Sequence, residues 1–436
     1  MLSHRSTKRY SFSKSLTYVE WGILRSYTRR IRSLLDEGDR LDWESVRTIL
    51  NPPTTELFFP NLRYLRAARL SDIKIKHLLH MPLPSLISLD LSFVKQEYLC
   101  RLQESLESLF NLSPNIRRFR ILLIHHDITF SSFFSNYVCQ WRNLQTVDCF
   151  NITLDADALA HLSRVPALTR LDIPPSAPLP PVDSPLFFSN LHHLTLRSEF
   201  LDPISQLLSR TQFPTIMDFS AYIGRCPSKQ DFSSFLTSIQ KSTIGHSIQE
   251  LRLEGKRGGD DATDILVLED LLPCMAFSKL RAIYLDIDWD VNLSDSEMLT
   301  LASAWPHLQD LFINVDRGWN TLGGITPNGL LQPLQACRSL SGIGLAIDTR
   351  GYTEFCESRA SLGLTLPLTF FIDVLDSFIE EDSIPAIAAF LAGIAPCPKF
   401  SFRAHKCWWI INRREDHEAL WYDAYDRANV TLSQRS

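Results

Sequence analysis

The chain has 436 residues, more than one hydrophobic core usually supports, so it must be several domains or one repeat array. With 45% hydrophobic and 21% charged residues it can bury a large core, which excludes bulk disorder. A formal net charge of −5 gives no overall basic field and argues against a nucleic-acid partner.

Residues 1–16 are basic and Ser-rich, and we expect a disordered tail. They share this character with mitochondrial transit peptides, but they are short and run directly into the folded region; without an apolar core they are not a secretory signal. "TYVEWGILRSYTRRIRSLL" (17–35) predicts a helix. Thr17 and Glu20 stand at capping-box spacing, and Trp21, Leu24, Ile31 and Leu34 fall roughly on one face. The span 17–57 is therefore expected to be a helical lead-in that caps the first repeat.

From 58 to 404 one motif returns. "FPNLRYLRAARL" begins at Phe59, "LPSLISLDL" at Leu83, "VPALTRLDI" at Val165, "FSKLRAIYLDI" at Phe277 and "WPHLQDLFINV" at Trp305. The first apolar residue of each copy is Leu62, Leu86, Ile116, Leu144, Leu168, Leu191, Ile216, Ile248, Leu280, Leu308 or Leu340, with spacings from 23 to 32 residues. Two looser copies follow near Leu368 and Cys397, giving about 11 to 13 irregular repeats. The Leu-x-x-Leu-x-Leu spelling at this period is a leucine-rich-repeat signature.

The spelling has a physical cause. Alternation over "LRYLRA" makes a short strand with one buried face, which cannot bury its leucines alone but can when stacked in parallel with others. A parallel neighbour needs a crossover, and a helix suits it. "EYLCRLQESLESLFNL" (97–112) puts Leu99, Leu102, Leu106 and Leu109 at helical spacing, and 156–165 and 297–305 read the same way. Pro60, Pro84, Pro114, Pro166, Pro214 and Pro306 end those segments ahead of the anchor. The Pro-rich run "PPSAPLPPVDSP" (174–185) is expected to replace a helix in one repeat. The Asn or Cys that often follows the strand is mostly missing. Residues 405–436 are expected to close the array with an acidic helix over 415–429, packed through Leu420, Trp421 and Tyr425.

The expected fold is thus α/β: a leucine-rich-repeat solenoid, or horseshoe, with parallel concave strands, convex helices and helical caps at both ends. A doubly wound α/β domain would need a Gly-rich turn after its first strand, and none is present.

Three stretches resemble the F-box/leucine-rich-repeat proteins of mushroom-forming fungi: the lead-in "VEWGILRSYTRRIRSL" (19–34), the repeat series, and the ending "AAFLAGIAPCPKF…ALWYDAY". The resemblance covers most of the chain and implies substrate selection for a cullin-type ubiquitin ligase. Family members carry an F-box opening near an LP-x-E pattern ahead of the lead-in. The 16 residues before Thr17 do not spell it, so no docking residue carries over, and a ligase linker protein is expected as a partner only if an F-box lies upstream.

No enzymatic constellation is found, and no catalytic, cofactor-binding or metal-binding residue is assigned. "GKRGGDD" (255–261) lacks the order of a phosphate loop. "HEALW" at His417 has Trp421 where a zinc protease needs its second His. His125–His126 and His192–His193 are adjacent on strands and point to opposite faces. The 9 Cys form no C-x-x-C pair and suit reduced thiols, hence a cytoplasmic or nuclear protein. No run is long and apolar enough for a membrane span.

The third, fifth and seventh motif positions should face outward on the concave sheet. Early repeats place Tyr64, Arg66, Arg118, Arg120, Arg170, Asp172, His193 and Arg197 there. Later ones place Asp218, Tyr222, Glu250, Arg252, Glu254, Tyr284, Asp286, Asp310 and Phe312. The face is expected to run from basic to acidic along the chain, with Tyr284 and Phe312 stacked in successive repeats. Two readings stay open: a bipolar protein-binding groove with an aromatic anchor pair, or a solvated face whose aromatic ladder only supports the sheet. The cluster Arg117, Arg118, Arg120 reads either as a solvated edge or as a phosphopeptide patch. The leading expectation is a non-enzymatic module for an unidentified protein partner, and the alternative is a stand-alone scaffold or decoy with no ligase link.

Overall fold

In the computed structural model every anchor from Leu62 to Leu340 is at most 2% exposed, and a strand starts two residues after each. The structure describes residues 16–36, 57, 59–68, 82–94, 99–123, 128–175, 185–255, 264–321, 324–355, 364, 366–367, 369–395, 400–404 and 417–435. The expected tail, His125–His126, the Pro-rich run after 175 and the loop after Gly255 lie outside these residues. The chain forms two compact units, Met1–His192 and His193–Ser436.

The first unit carries β1 (Ser33–Asp36), β2 (Tyr64–Ala68), β3 (Ser88–Val94), β4 (Arg118–Leu123), β5 (Thr146–Phe150), β6 (Arg170–Ile173) and the two-residue β7 (Leu186–Phe187). Strands β1 to β6 pair in chain order, every pair parallel, with a bulge between Ser92 and Val94. Helices Leu99–Leu112, Ile128–Val138 and Ala156–Ser163 make the crossovers. The inward side chains of strand and helix meet: Phe119 stacks on Phe134 at 5.0 Å and lies 5.1 Å from Trp141. Asp155 caps the third helix by accepting from Ala158 N at 2.9 Å.

The expected helix over 17–35 is shorter than its periodicity implied. Its capping box is present, with Glu20 N donating to Thr17 Oγ1 at 3.3 Å and Thr17 N to Glu20 Oε2 at 2.7 Å, but the helix ends at Thr28. Residues 33–36 are instead β1, in register with Tyr64–Ala67. Arg63 N and Tyr64 N both donate to Arg32 O, at 2.8 and 3.1 Å. A parallel ladder of this kind depends on a partner some thirty positions away, which local periodicity does not encode.

The second unit carries β8 (His193–Ser198), β9 (Thr211–Gln212), β10 (Asp218–Ile223), β11 (Glu250–Gly255), β12 (Ile265–Leu266), β13 (Ala282–Asp286), β14 (Asp290–Val291), β15 (Asp310–Ile313), β16 (Gly342–Gly344), β17 (Phe371–Asp373) and β18 (Ser401–Arg403). The long parallel ladder runs β8-β10-β11-β13-β15-β16-β17-β18. Its last two strands are the looser copies near Leu368 and Cys397. Helices Asp202–Arg210, Lys229–Lys241, Asp295–Ala304, Pro327–Ala336 and Ile384–Ile394 form the crossovers. Both units are therefore built as an α/β leucine-rich-repeat solenoid.

In the second unit Trp289, Trp305 and Trp319 are buried, and each satisfies its single polar atom. Trp289 Nε1 donates to Pro227 O at 3.1 Å, Trp305 Nε1 to Cys274 O at 3.0 Å and Trp319 Nε1 to Ile313 O at 2.9 Å. An Asn follows the strand at two places, Asn151 and Asn314, both at positive φ. Asn151 Nδ2 donates to Leu123 O at 3.1 Å. Asn314, fully buried, accepts from Ile287 N at 2.9 Å and donates to Trp289 O at 2.8 Å.

The closing helix spans His417–Arg435, longer than the expected 415–429 at its C-terminal end. Trp421 Nε1 donates to Ser377 O at 3.0 Å, Tyr425 Oη to Phe400 O at 2.8 Å, and the Tyr425 ring stacks on Phe402 at 4.9 Å.

Candidate functional site

Parallel register sets the outward side chains in rows that cross the strands. In the first unit the fifth motif position reads Leu35, Arg66, Asp90, Arg120, Asp148, Asp172. Arg66 Nε lies 3.4 Å from Asp90 Oδ2 and Arg120 Nε 3.0 Å from Asp148 Oδ2. The expected basic start of the face is therefore corrected to an alternating ladder. Setting "SLDL" and "TVDC" in the frame of the other repeats puts Asp90 and Asp148 in the fifth slot as well. Arg118 and Arg170 are exposed, as is Tyr64 at 43%. Asp172, read as outward, is 5% exposed. Strand alternation fixes the side to which a residue points, not how far its neighbours cover it.

The second unit concentrates aromatic and guanidinium groups. Its fifth-position row runs Thr195, Ser220, Arg252, Tyr284, Phe312, Gly344, Asp373, Arg403. The Arg252 guanidinium lies 4.3 Å from the centre of the Tyr284 ring. Tyr284 stacks on Phe312 at 5.4 Å with the planes 8° apart, and Phe312 lies 5.9 Å from Phe371. In the seventh-position row Arg197, Tyr222, Glu254 and Asp286 are neighbours, with Arg197 4.3 Å over Tyr222. In the third-position row His193 Nδ1 lies 2.6 Å from Asp218 Oδ2, and Glu250 and Asp310 flank the buried Ala282. Tyr284 Oη donates to Asp310 Oδ2 at 3.2 Å. Burial, the neighbouring Asp310 charge and this hydrogen bond push the Tyr284 phenol up to about 12.

Gly342 and Gly344 of β16 make room for Phe312. A Cβ on Gly342 would fall 2.8 Å from Phe312 Cζ, and one on Gly344 2.6 Å from Phe312 Cδ1. The ring thus lies across the glycine strand, and a pocket of about 240 Å³ opens beside it. Arg252, Leu253, Glu254, Tyr284, Leu285, Asp286, Val315 and Asp316 line the rest of that pocket. Burial raises the Asp286 carboxyl to about 6; Arg317 opposes the shift, and Asp316, Glu254 and Asp288 reinforce it. Arg317 approaches Asp286 Oδ1 at 3.4 Å and Asp288 Oδ1 at 3.2 Å, and also donates to Gly255 O.

The sequence reading placed Arg252, Glu254, Tyr284, Asp286, Asp310 and Phe312 on this face; the structure gathers all but Asp310 around one pocket, and Asp310 instead accepts from Tyr284 Oη. It missed Val315, Asp316 and Arg317, which follow β15 outside the repeat frame, and the two glycines, which read as weak strand residues. Among the described residues no group of three or more His, Cys, Asp or Glu is placed to hold a metal ion, and no helix is long and apolar enough to cross a membrane.

No protein-family model matches the sequence, and no curated protein matches it. Among solved structures the chain is similar to an internalin (inlF) from Listeria monocytogenes, at 12% identity over 89% of this chain and 86% of that one, with a TM-score of 0.37. It is similar to the complex of Rad7 and Elc1 in yeast at 11% identity, over 84% and 79% of the two chains, with a TM-score of 0.34. A TLR13–ssRNA13 complex matches at 14% identity over 86% of this chain and 59% of that one, with a TM-score of 0.37.

Proposed function

We propose that the chain is a non-enzymatic protein-binding module whose main contact surface is the outward face of the second unit's ladder. The observation that carries this reading is the row Arg252, Tyr284, Phe312: three large side chains, stacked on one another and only partly buried. Arg and aromatic side chains held rigid in this way lose little freedom when a partner covers them, and they are enriched among residues that dominate binding energy. Arg197 and Tyr222 add polar contacts on the second unit's face; Tyr64, Arg66, Arg118, Arg120 and Arg170 offer contacts of the same kind on the first unit's own outward rows.

The resemblance to F-box/leucine-rich-repeat proteins makes the finer reading a substrate-recognition part of a cullin-type ubiquitin ligase receptor, in cytoplasm or nucleus. The transcript frame ahead of Met1 tests that part. An F-box there supports it, and a frame without one leaves a stand-alone scaffold.

The binding reading itself is tested by selecting peptides from a displayed random library on the full chain, then measuring them on the Tyr284→Ser, Phe312→Ser double variant. We expect binding to fall at least about tenfold, as loss of a central aromatic contact typically costs more than about 1.4 kcal/mol. Unchanged binding on a variant that keeps its circular dichroism overturns the reading.

A further inference from the structure

We propose that the pocket beside Tyr284 and Phe312 takes the side chain of a lysine or arginine from a basic segment of the partner. This rests on the protein-binding reading of the same face and adds the chemistry of what enters it.

Three observations carry the proposal. The first is the shape of the site. The pocket of about 240 Å³ has apolar walls from Tyr284, Phe312 and Val315, with Leu253 and Leu285 also lining it. These suit the methylene stem of a long side chain, which packs on apolar surface while its charged end stays with polar groups.

The second is charge. Three carboxylates, Glu254, Asp286 and Asp316, line the pocket, against one guanidinium, Arg252. That guanidinium is already engaged, stacked over the Tyr284 ring and 3.6 Å from Glu250. Arg317, the other nearby cation, is shared among Asp286, Asp288 and Gly255 O, which leaves Glu254 and Asp316 as the pocket carboxylates it does not pair with. The pocket therefore offers acceptors to an incoming cation and few donors to an anion. Asp218, Glu250 and Asp310 in the neighbouring row extend the acidic surface to either side of the aromatic strip.

The third is an unsatisfied acceptor. Asp286 Oδ1 is buried and accepts no hydrogen bond, although Arg317 Nε sits 3.4 Å from it as an ion pair. A carboxylate oxygen has capacity for more than one donor, and a buried one left without a hydrogen bond is costly. A lysine ammonium or arginine guanidinium entering beside the aromatic wall supplies donors to the exposed Glu254 and Asp316 directly, and reaches Asp286 Oδ1, which is closed to solvent beside Arg317, only if that carboxyl or Arg317 shifts.

The experiment uses peptides selected from the displayed library on the full chain, without regard to charge. The expected result is a Lys or Arg at one fixed position of the enriched peptides. Replacing it by norleucine is expected to weaken binding about tenfold on the natural chain and less than about twofold on Glu254→Gln, Asp316→Asn, since the acids that recognise the charge are then gone. Both substituted residues are exposed, so this variant is expected to fold. Asp286→Asn provides a second test.

Peptides that lose binding on the Tyr284, Phe312 double variant but carry no preferred basic residue overturn this inference and leave the protein-binding reading standing. A basic preference that Glu254→Gln, Asp316→Asn and Asp286→Asn all leave intact overturns it as well, placing the charge recognition elsewhere. Peptides indifferent to Tyr284 and Phe312, or no enrichment at all, overturn both.

Discussion

Phe312 and Gly344 are in register on adjacent strands, and the ring of one occupies the space where the other would carry a side chain. A Cβ on Gly344 would lie 2.6 Å from Phe312 Cδ1 and 3.0 Å from Val315 Cγ2. The stack of Tyr284 on Phe312 depends on that vacancy. Gly344→Ala is expected to push Phe312 out of its position and to cost about 1 to 3 kcal/mol, the usual range for overpacking a filled site. Denaturant unfolding measures it. The cause is separable by a double-mutant cycle: in a Phe312→Ala background the same alanine should cost much less, because the ring atoms it strikes are gone and only the looser Val315 contact at 3.0 Å remains. An equal cost in both backgrounds would show that the strand backbone, not the ring, resists the substitution.

Asp286 gives a pH signature with two opposite signs. Its carboxyl is raised to about 6 from the ordinary 3.8, chiefly by burial, with Arg317 pulling the other way and Asp316, Glu254 and Asp288 adding to the rise. Between these values the folded chain holds a proton that the unfolded chain has released. Its contribution to stability is therefore full below about pH 4 and lost as pH rises through about 6. Asp286→Asn removes this loss and is expected to stabilise the chain above pH 6 by about 1 kcal/mol, less than the full shift implies because solvent reaches the group. Binding of a basic peptide should move the other way and strengthen as pH rises through about 6, when the carboxylate becomes available. Unfolding curves and peptide titrations at pH 5 and pH 7, on both chains, check the two slopes together.

Much of the architecture was legible because a repeat states its own rule. The anchors Leu62 to Leu340 mark buried positions and strand starts together, since one side-chain period governs both. The same frame gave the row neighbours Tyr284 and Phe312, because parallel strands with equal offsets from their anchors come into register. What stayed hidden depends on partners outside the frame. Leu34 lies in a strand because β2 pairs with it, despite its helical spacing from Trp21. Arg317 reaches back 62 residues to Gly255 O, which no local pattern announces. Gly342 and Gly344 read as poor strand formers, and their meaning as a vacancy appears only once Phe312 is seen lying over them. The acids that turn the basic start into a ladder, Asp90 and Asp148, were within reach of the frame and needed only the same alignment.

The C-terminal helix offers a test of how the ladder's last strands are closed. Trp421 is 1% exposed, and its Nε1 donates to Ser377 O at 3.0 Å in the turn after β17. The helix also packs on helix Ile384–Ile394, and His417 Nδ1 lies 2.9 Å from Ile379 O. Trp421 thus combines a large buried area with one buried hydrogen bond, and two variants separate the contributions. Trp421→Phe keeps most of the ring but leaves the Ser377 carbonyl without this donor, with an expected cost of about 1 to 3 kcal/mol. Trp421→Ala also opens a cavity and is expected to cost about 3 to 5 kcal/mol. Hydrogen exchange should show the loss first in His417–Arg435 and in Ile384–Ile394, whose apolar residues the helix covers. The decisive result is the order of protection, natural chain above Phe above Ala, confined to these elements while β8 and β10 keep their protection. Equal exchange in all three chains would mean that Tyr425 and His417 hold the helix without Trp421.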